Sequence, residues 1–220
     1  MNTEKLLLQL VSAGAAPEQA QRLLSYGARL LAWNEKMNLT GAKDLDELTQ
    51  KHLLDSVLAW KVRNTAMAGA LIFDQIVDVG SGGGIPGIPL AILQDKPVVL
   101  VERRQKKARA LEELAIECEL GPRVGVRAES LEKLCFSTRS EFWFRGVLPA
   151  DKLISYFSRE IPSRALSQVV LMKGPAWGEE LRRALEQPDM DHLWCQRFEQ
   201  AEVFGYELPD GAGTRNLVLL

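Results

Sequence analysis

Cysteine is scarce: Cys118, Cys135 and Cys195 lie far apart, and none sits in a Cys-x-x-Cys spacing. That argues against a disulfide scaffold and against a zinc site, and fits a reducing compartment. Histidine is scarcer, with His52 and His192 alone. Neither belongs to a Ser-His-Asp or His-Glu-x-x-His arrangement, so hydrolytic triads and zinc peptidases find no support. No apolar run approaches the ~18 residues of a membrane span. The N-terminus has no basic region followed by an apolar stretch and a cleavage site. Excess charge is also missing: 27 Lys and Arg face 29 Asp and Glu, a net of −2. Any polyanion must therefore be met by a local cluster of cations. What remains is 220 residues with 46% hydrophobic content. That is enough for one large domain, or one domain with a small appendage, expected to be soluble and cytoplasmic.

The first third reads as helices. Thr3 can cap a helix carrying Leu6, Leu7, Leu10 and Val11, and Gly14 stops it. Pro17 suits the first turn of a second helix with Leu23, Leu24, Leu30 and Leu31. Residues 34–40 break the pattern, residues 44–60 resume it, and the region of Gly69 separates this part from the rest. From Ile72 the texture alternates between strands and helices. Residues 76–79, 98–101, 124–127 and 169–172 read as buried strands, and residues 89–94 and 104–120 as helices. Such alternation predicts a parallel sheet flanked by helices. At the end, residues 202–208 and 215–220, joined by a Pro-Asp-Gly-Ala-Gly turn, predict an antiparallel hairpin.

Chemistry concentrates in Asp78-Val79-Gly80-Ser81-Gly82-Gly83-Gly84-Ile85-Pro86-Gly87. A strand must turn sharply here and let a ligand approach its backbone. Glu102 ends the next strand, 18 residues after Gly84, where a carboxylate can accept two hydrogen bonds from ribose hydroxyls. A ligand-free turn is the plain alternative, but four glycines in five positions would weaken a fold for no packing gain. Two ligands compete. Gly82, Gly84 and Gly87 formally match the dinucleotide pattern G-x-G-x-x-G, which would make an NAD-dependent oxidoreductase. Against it, those glycines begin beyond Gly80, which already ends the strand. Asp78 suits the cationic sulfonium and amino groups of S-adenosyl-L-methionine and would repel a pyrophosphate. S-adenosylmethionine is the favoured ligand. The fold class is then α/β, a Rossmann-like class I methyltransferase whose mostly parallel sheet ends in an antiparallel hairpin. Residues 1–68 form an N-terminal helical extension and residues 69–220 the cofactor-binding domain.

Three segments are more specific than the loop. They are Trp33-Asn34-Glu35-Lys36-Met37-Asn38-Leu39-Thr40, Lys51-His52-Leu53-Leu54-Asp55-Ser56, and residues 77–89 with the Gly-Ile-Pro-Gly-Ile-Pro continuation. Together, and in this order, they resemble the RsmG (GidB) family, over nearly the whole chain. The resemblance implies methylation of N7 of a guanine, guanine 527, in the 530 loop of bacterial 16S rRNA. The implied partner is the small ribosomal subunit or its precursor; the chain itself is expected to be a monomer. It also implies cofactor contacts at Gly80, Ile85, Glu102, Ala128, Glu129 and Arg145, with Lys173 and Arg215 matching a late Lys-Gly and a hairpin Arg. One segment departs. The family has Phe-Asp, a few apolar residues, then Ser-Arg-Ala, whereas this chain reads Ser140-Glu141-Phe142-Trp143-Phe144-Arg145-Gly146. That segment keeps open a third reading, a non-catalytic RNA- or ribosome-binding module.

Other candidates have two readings each. Arg103, Arg104, Lys106, Lys107 and Arg109 put five cations in seven residues at a helix start. They are either a solvated face paired with Glu112 and Glu113 or a phosphate track for RNA. His52 and Asp55 share a helix face, either as a surface or capping interaction or on the substrate side of the cofactor cleft. Trp143, beside Arg145, is the tryptophan that could meet a base. No catalytic residue and no metal ligand is assigned. No Asp/Asn-Pro-Pro-Tyr/Phe motif, associated with methylating exocyclic amines, occurs.

Overall fold

The computed structural model describes residues 3–67, 73–146, 148–161, 166, 168–186 and 191–220. Four helical segments come first: α1 (Thr3–Ala13), α2 (Pro17–Asn34), the short α3 (Leu45–Leu48) and α4 (Leu54–Ala66). Helix α1 begins on Thr3 itself, so Thr3 is a first-turn residue rather than a cap. Pro17 opens α2 as expected, because its missing N–H would have found no partner in the first turn. Between α3 and α4 the chain widens into one turn of i→i+5 hydrogen bonding, Thr49–Leu53, which carries Lys51 and His52. The separating segment expected around Gly69, and Ile72 after it, lie outside the described residues.

Seven strands follow: β1 (Gln75–Val79), β2 (Val98–Val101), β3 (Val124–Arg127), β4 (Ser140–Arg145), β5 (Gln168–Lys173), β6 (Glu202–Leu208) and β7 (Gly213–Leu219). The sheet order is β3-β2-β1-β4-β5-β7-β6. The first five strands are mutually parallel, and β7 and β6 add an antiparallel hairpin at one edge. Helices α5 (Gly87–Leu93), α6 (Gln105–Glu117), α7 (Ala150–Glu160), α8 (Trp177–Leu185) and α9 (His192–Glu199) complete the chain.

Side chains alternate along each strand, so the sheet has two buried faces. One face, with Ile76, Leu100, Trp143 and Leu217, packs against α1, α2, α4, α5 and α6 in a single apolar cluster. The other, with Val77, Phe142, Phe144 and Leu171, packs against α7, α8 and α9. There Phe157 and Trp194 stack with ring centroids 4.6 Å apart. Among the described residues no helix is long and apolar enough to cross a membrane.

Strand β4 is the strand that periodicity did not reveal, although it lies at the centre of the sheet. Its charged ends disguise it. Glu141 is fully buried and accepts from Arg63 and from Trp143 Nε1, the latter at 2.8 Å, so its charge is paired inside the core. Trp143 is itself 0% exposed and packs on Trp60. That corrects its reading as a base contact: it is a core residue.

Candidate active site

The chain reverses its strand order between β1 and β4, and in open parallel sheets ligands bind outside the carboxyl ends of strands at such a point. The glycine loop occupies that place. Ser81 Oγ donates to the Asp78 carbonyl at 2.9 Å as the chain leaves β1. Gly82 has φ +57, and a Cβ there would meet nothing nearer than the Gly80 carbonyl oxygen at 3.8 Å. Gly87 is needed for close approach instead, since a Cβ there would collide with Leu100 and the Asp78 side chain.

The N-terminal helices help to build this loop. Tyr26 donates its hydroxyl to the Gly83 carbonyl at 2.8 Å. Asn34 Oδ1 accepts from the amides of Leu39 and Thr40 at 2.7 and 2.9 Å. This folds residues 34–40 so that the Leu39 carbonyl would stand 3.0 Å from a Cβ on Gly83. Part of the glycine content therefore answers to packing, which corrects the premise that these glycines bring no packing gain. The Trp-Asn-x-x-x-Asn-Leu-Thr segment acts here as a clip on the loop.

Beside the loop opens a cavity of ≈ 480 Å³, within the range of small-molecule sites. Gly80 and Gly82 form one side, Glu102 stands at the end of β2, and Phe144 and Leu131 give it apolar surface. Glu102 is 7% exposed, and its two oxygens accept from the Gly82 amide at 3.2 Å and the Arg104 amide at 2.8 Å. A carboxylate has about four lone-pair sites, so two remain for a ligand's hydroxyls. Glu129 lines the same cavity, and Ala128 lines a neighbouring recess that shares Glu129 with it. Tyr156 of α7, which sequence reasoning missed, lines it too and donates to Glu132 at 2.6 Å. Arg103, Arg104 and Lys107 stand on the rim. The residues present fit S-adenosylmethionine: acceptors remain on Glu102, an apolar wall is available for the adenine, and the loop backbone is accessible.

Other expected cofactor residues lie elsewhere. Asp78 is 1% exposed, and its carboxylate accepts from the Gly87 amide at 3.1 Å beneath the loop. Burial pushes its carboxyl up to about 7 against the lowering effect of that hydrogen bond. Gly84 and Ile85 face the apolar core shared with Ile88 and Leu111. Arg145 ends β4 but points to the side of the sheet held by the N-terminal helices, because its neighbours Phe144 and Gly146 line the cavity.

Arg145 there meets two of the residues expected to face substrate. Its Nε donates to Asp55 Oδ2 at 3.0 Å, and its Nη2 lies 3.1 Å from the Lys51 carbonyl and 2.6 Å from His52 Nδ1. Tyr206 of β6 donates its hydroxyl to Asp55 Oδ1 at 2.7 Å. Asp55 is 2% exposed, so a mere surface interaction does not describe it. Burial, with the adjacent Arg145 cation, lowers the His52 imidazole to about 4.

The remaining RNA candidates are spread out. Arg103, Lys106 and Arg109 are exposed at the start of α6, and among the described residues none carries an ion pair. The pairing with Glu112 and Glu113 is therefore not made. Lys173 turns inward, donates to the Leu148 carbonyl at 2.9 Å and approaches Glu180 at 3.7 Å; burial lowers its ammonium below the usual range. Arg215 lies opposite Tyr206 in the hairpin and donates to the Thr214 carbonyl.

A pyrophosphate needs free amides at a helix N-terminus. Here α5 offers none at its start: the Gly87 amide is bonded to Asp78 and the Ile88 amide to the Gly84 carbonyl. The sheet order, the hairpin and this cavity define a class I, S-adenosylmethionine-dependent methyltransferase. Solved structures agree on the fold. Magnesium protoporphyrin IX methyltransferase from Synechocystis PCC 6803 with bound SAM matches 86% of this chain and 89% of its own, with TM-score 0.55 and 12% identity. MtNAS in complex with MTA and tNA matches 90% of this chain and 69% of its own, with TM-score 0.51 and 13% identity.

The chain belongs to the GidB family, rRNA small subunit methyltransferase G, whose family model matches residues 19–203. Relatives named ribosomal RNA small subunit methyltransferase G include one from Sorangium cellulosum, 48% identical over 74% of this chain and 67% of its own length. A second, from Solibacter usitatus, is 33% identical over 84% of this chain and 82% of its own. A third, from Chlorobium chlorochromatii, is 30% identical over 87% and 79%. The chain is thus an enzyme that methylates small-subunit ribosomal RNA, and the dinucleotide and non-catalytic readings fall away.

Proposed function

We propose that this enzyme methylates N7 of a guanine in the 530 loop of 16S rRNA, acting as a cytoplasmic monomer on the small subunit or its precursor. The cofactor would be held by the Gly80 and Gly82 backbone, by Glu102 at the ribose and by Ala128 and Glu129 at the adenine. When bound, S-adenosylmethionine supplies an electrophilic methyl group. The chain's own part is to place the acceptor in line with it and exclude water. Arg103 on the cavity rim, with Lys106 and Arg109 exposed beside it at the start of α6, offers a track for phosphates.

The observation that carries the N7 reading is the state of the titratable groups near the strand ends. An amine or hydroxyl acceptor must lose a proton and would call for a base with a pKa near the working pH. The His52 imidazole is lowered to about 4, and its Nδ1 is engaged with Arg145. Asp78, although raised to about 7, is 1% exposed beneath the loop and bonded to the Gly87 amide, out of a substrate's reach. Guanine N7 carries a free lone pair and no proton, so it needs neither. The test is methylation of small subunits isolated without the modification, followed by nucleoside mass spectrometry. N7-methylguanosine, mapped to guanine 527, is expected; any other methylated nucleoside overturns the assignment.

A further inference from the structure

Five groups from three distant parts of the chain meet at the end of β4. The wide turn brings the Lys51 carbonyl and His52, α4 brings Asp55, β4 brings Arg145 and β6 brings Tyr206. Asp55 is almost wholly removed from water, and both its oxygens are satisfied, one by Arg145 and one by Tyr206. Such an arrangement fixes a guanidinium in one orientation, since Nε and Nη2 are each tied to a different partner.

One edge of Arg145 is left over. Among the described residues its Nη1 makes no hydrogen bond, and the side chain stays 20% exposed. The structural pair at the opposite end of β4 is a useful contrast. Arg63 places Nε and Nη2 on Glu141 and turns Nη1 to Asn64 at 3.4 Å, and its side chain is only 8% exposed. An arginine that serves only the fold is consumed by it. Arg145 is held by three partners, leaves Nη1 without one among the described residues, and stands in the chain between Phe144 and Gly146, which line the cavity.

We propose that Asp55 and Tyr206 are positioning residues for Arg145, and that its open Nη1 edge receives the O6 carbonyl of the guanine whose N7 takes the methyl. This rests on the guanine-N7 reading above. Guanine displays N7 and O6 side by side as two acceptors, and a free arginine fork takes both. With Nε and Nη2 already committed, only one donor nitrogen, Nη1, is available. It can bind O6 and leave the N7 lone pair free to attack. Transfer places a positive charge on the base, and the Asp55 carboxylate balances the neighbouring guanidinium, so that charge does not face an uncompensated cation. Adenine offers an amino donor where guanine has O6, so the same edge would disfavour it.

The experiment uses small subunits reconstituted with guanine or 2-aminopurine at the methylated position; 2-aminopurine keeps N7 and lacks O6. Single-turnover rates and cofactor affinity are measured for wild type, Asp55→Asn and Tyr206→Phe. Wild type should be slowed at least about tenfold by loss of O6, the scale of one charge-assisted hydrogen bond. Each variant should be slowed about tenfold on guanine, lose most of the penalty for 2-aminopurine, and bind S-adenosylmethionine within about threefold of wild type, as coupled partners in a cycle do. Tyr206→Phe keeps the buried ring and carries the test if Asp55→Asn does not fold. Unchanged rates, or a tenfold loss of cofactor affinity with the O6 penalty intact, overturn the proposal. A wild-type product other than N7-methylguanosine refutes the guanine-N7 reading instead, and the mass spectrum of that control separates the two failures.

Discussion

Replacing Asp78 by asparagine isolates the cost of a carboxylate shut beneath the glycine loop. The side chain is 1% exposed, and its carboxyl is pushed up from 3.8 to about 7, chiefly by burial. Below the unfolded value both states hold the proton, and Asp78 contributes no pH dependence. Between the two values the folded chain keeps a proton that the unfolded chain has lost, so stability falls as pH rises. Above the folded value both are ionised and the loss is complete. Three units at ~1.4 kcal/mol each make the full loss about 4 kcal/mol. Roughly two of those units lie between about pH 5 and about pH 8, so the expected loss in that window is about 3 kcal/mol. Asparagine retains an oxygen for the Gly87 amide and has no charge to desolvate. Urea unfolding at the two pH values should show wild type losing about 3 kcal/mol more than Asp78→Asn on going to the higher pH. The difference of differences removes Glu141, whose carboxyl is also raised by burial and is common to both proteins. Parallel stability profiles, within about 0.5 kcal/mol, would refute the account of Asp78 as a buried, costly acid.

Glu102→Ala removes acceptors at the ribose position, each worth ~1.5–3 kcal/mol, and should lower S-adenosylmethionine affinity at least about tenfold by calorimetry. Collapse of stability with normal affinity in the surviving fold would make Glu102 structural, through its bonds to the Gly82 and Arg104 amides. Gly82→Val puts a side chain into the open cavity at a positive φ, so a folded protein without cofactor binding is expected, and unchanged affinity would remove the loop from the site. Changing Arg103, Lys106 and Arg109 to serine should weaken ribosome binding and flatten its salt dependence while cofactor affinity holds. An identical salt slope would return the three to a solvated face. With ligands saturating, methyl transfer should be nearly flat between about pH 6.5 and 8.5, because neutral N7 needs no base. His52, lowered to about 4, stays uncharged throughout. A tenfold rise per pH unit in wild type that vanishes in His52→Ala would point to a general base and against N7.

Much of the site was legible along the chain because its determinants are local. A turn that needs Gly82 at positive φ, an acid one strand later and the alternation of buried strands are properties of short segments, readable from residue type and spacing. The family segments were legible too, but not their work. Nothing in Trp33–Thr40 states that Asn34 folds the Leu39 carbonyl onto Gly83, or that Tyr26 holds the Gly83 carbonyl; both approaches to Gly83 join residues dozens of positions apart. Strand β4 was hidden because the charges it carries, Glu141 and Arg145, are paired only by the distant Arg63 and Asp55. Asp78 read as a ligand for a cation, yet which side of a strand end is buried depends on what packs above it. The sequence by itself determined the strand-loop-acid unit and its ligand class. Only the tertiary structure decided which glycines face the cavity, that Asp78 lies under the loop, and that Arg145 is held by residues 90 and 93 positions away. Burial and long-range pairing are relations between segments, and no single segment contains them.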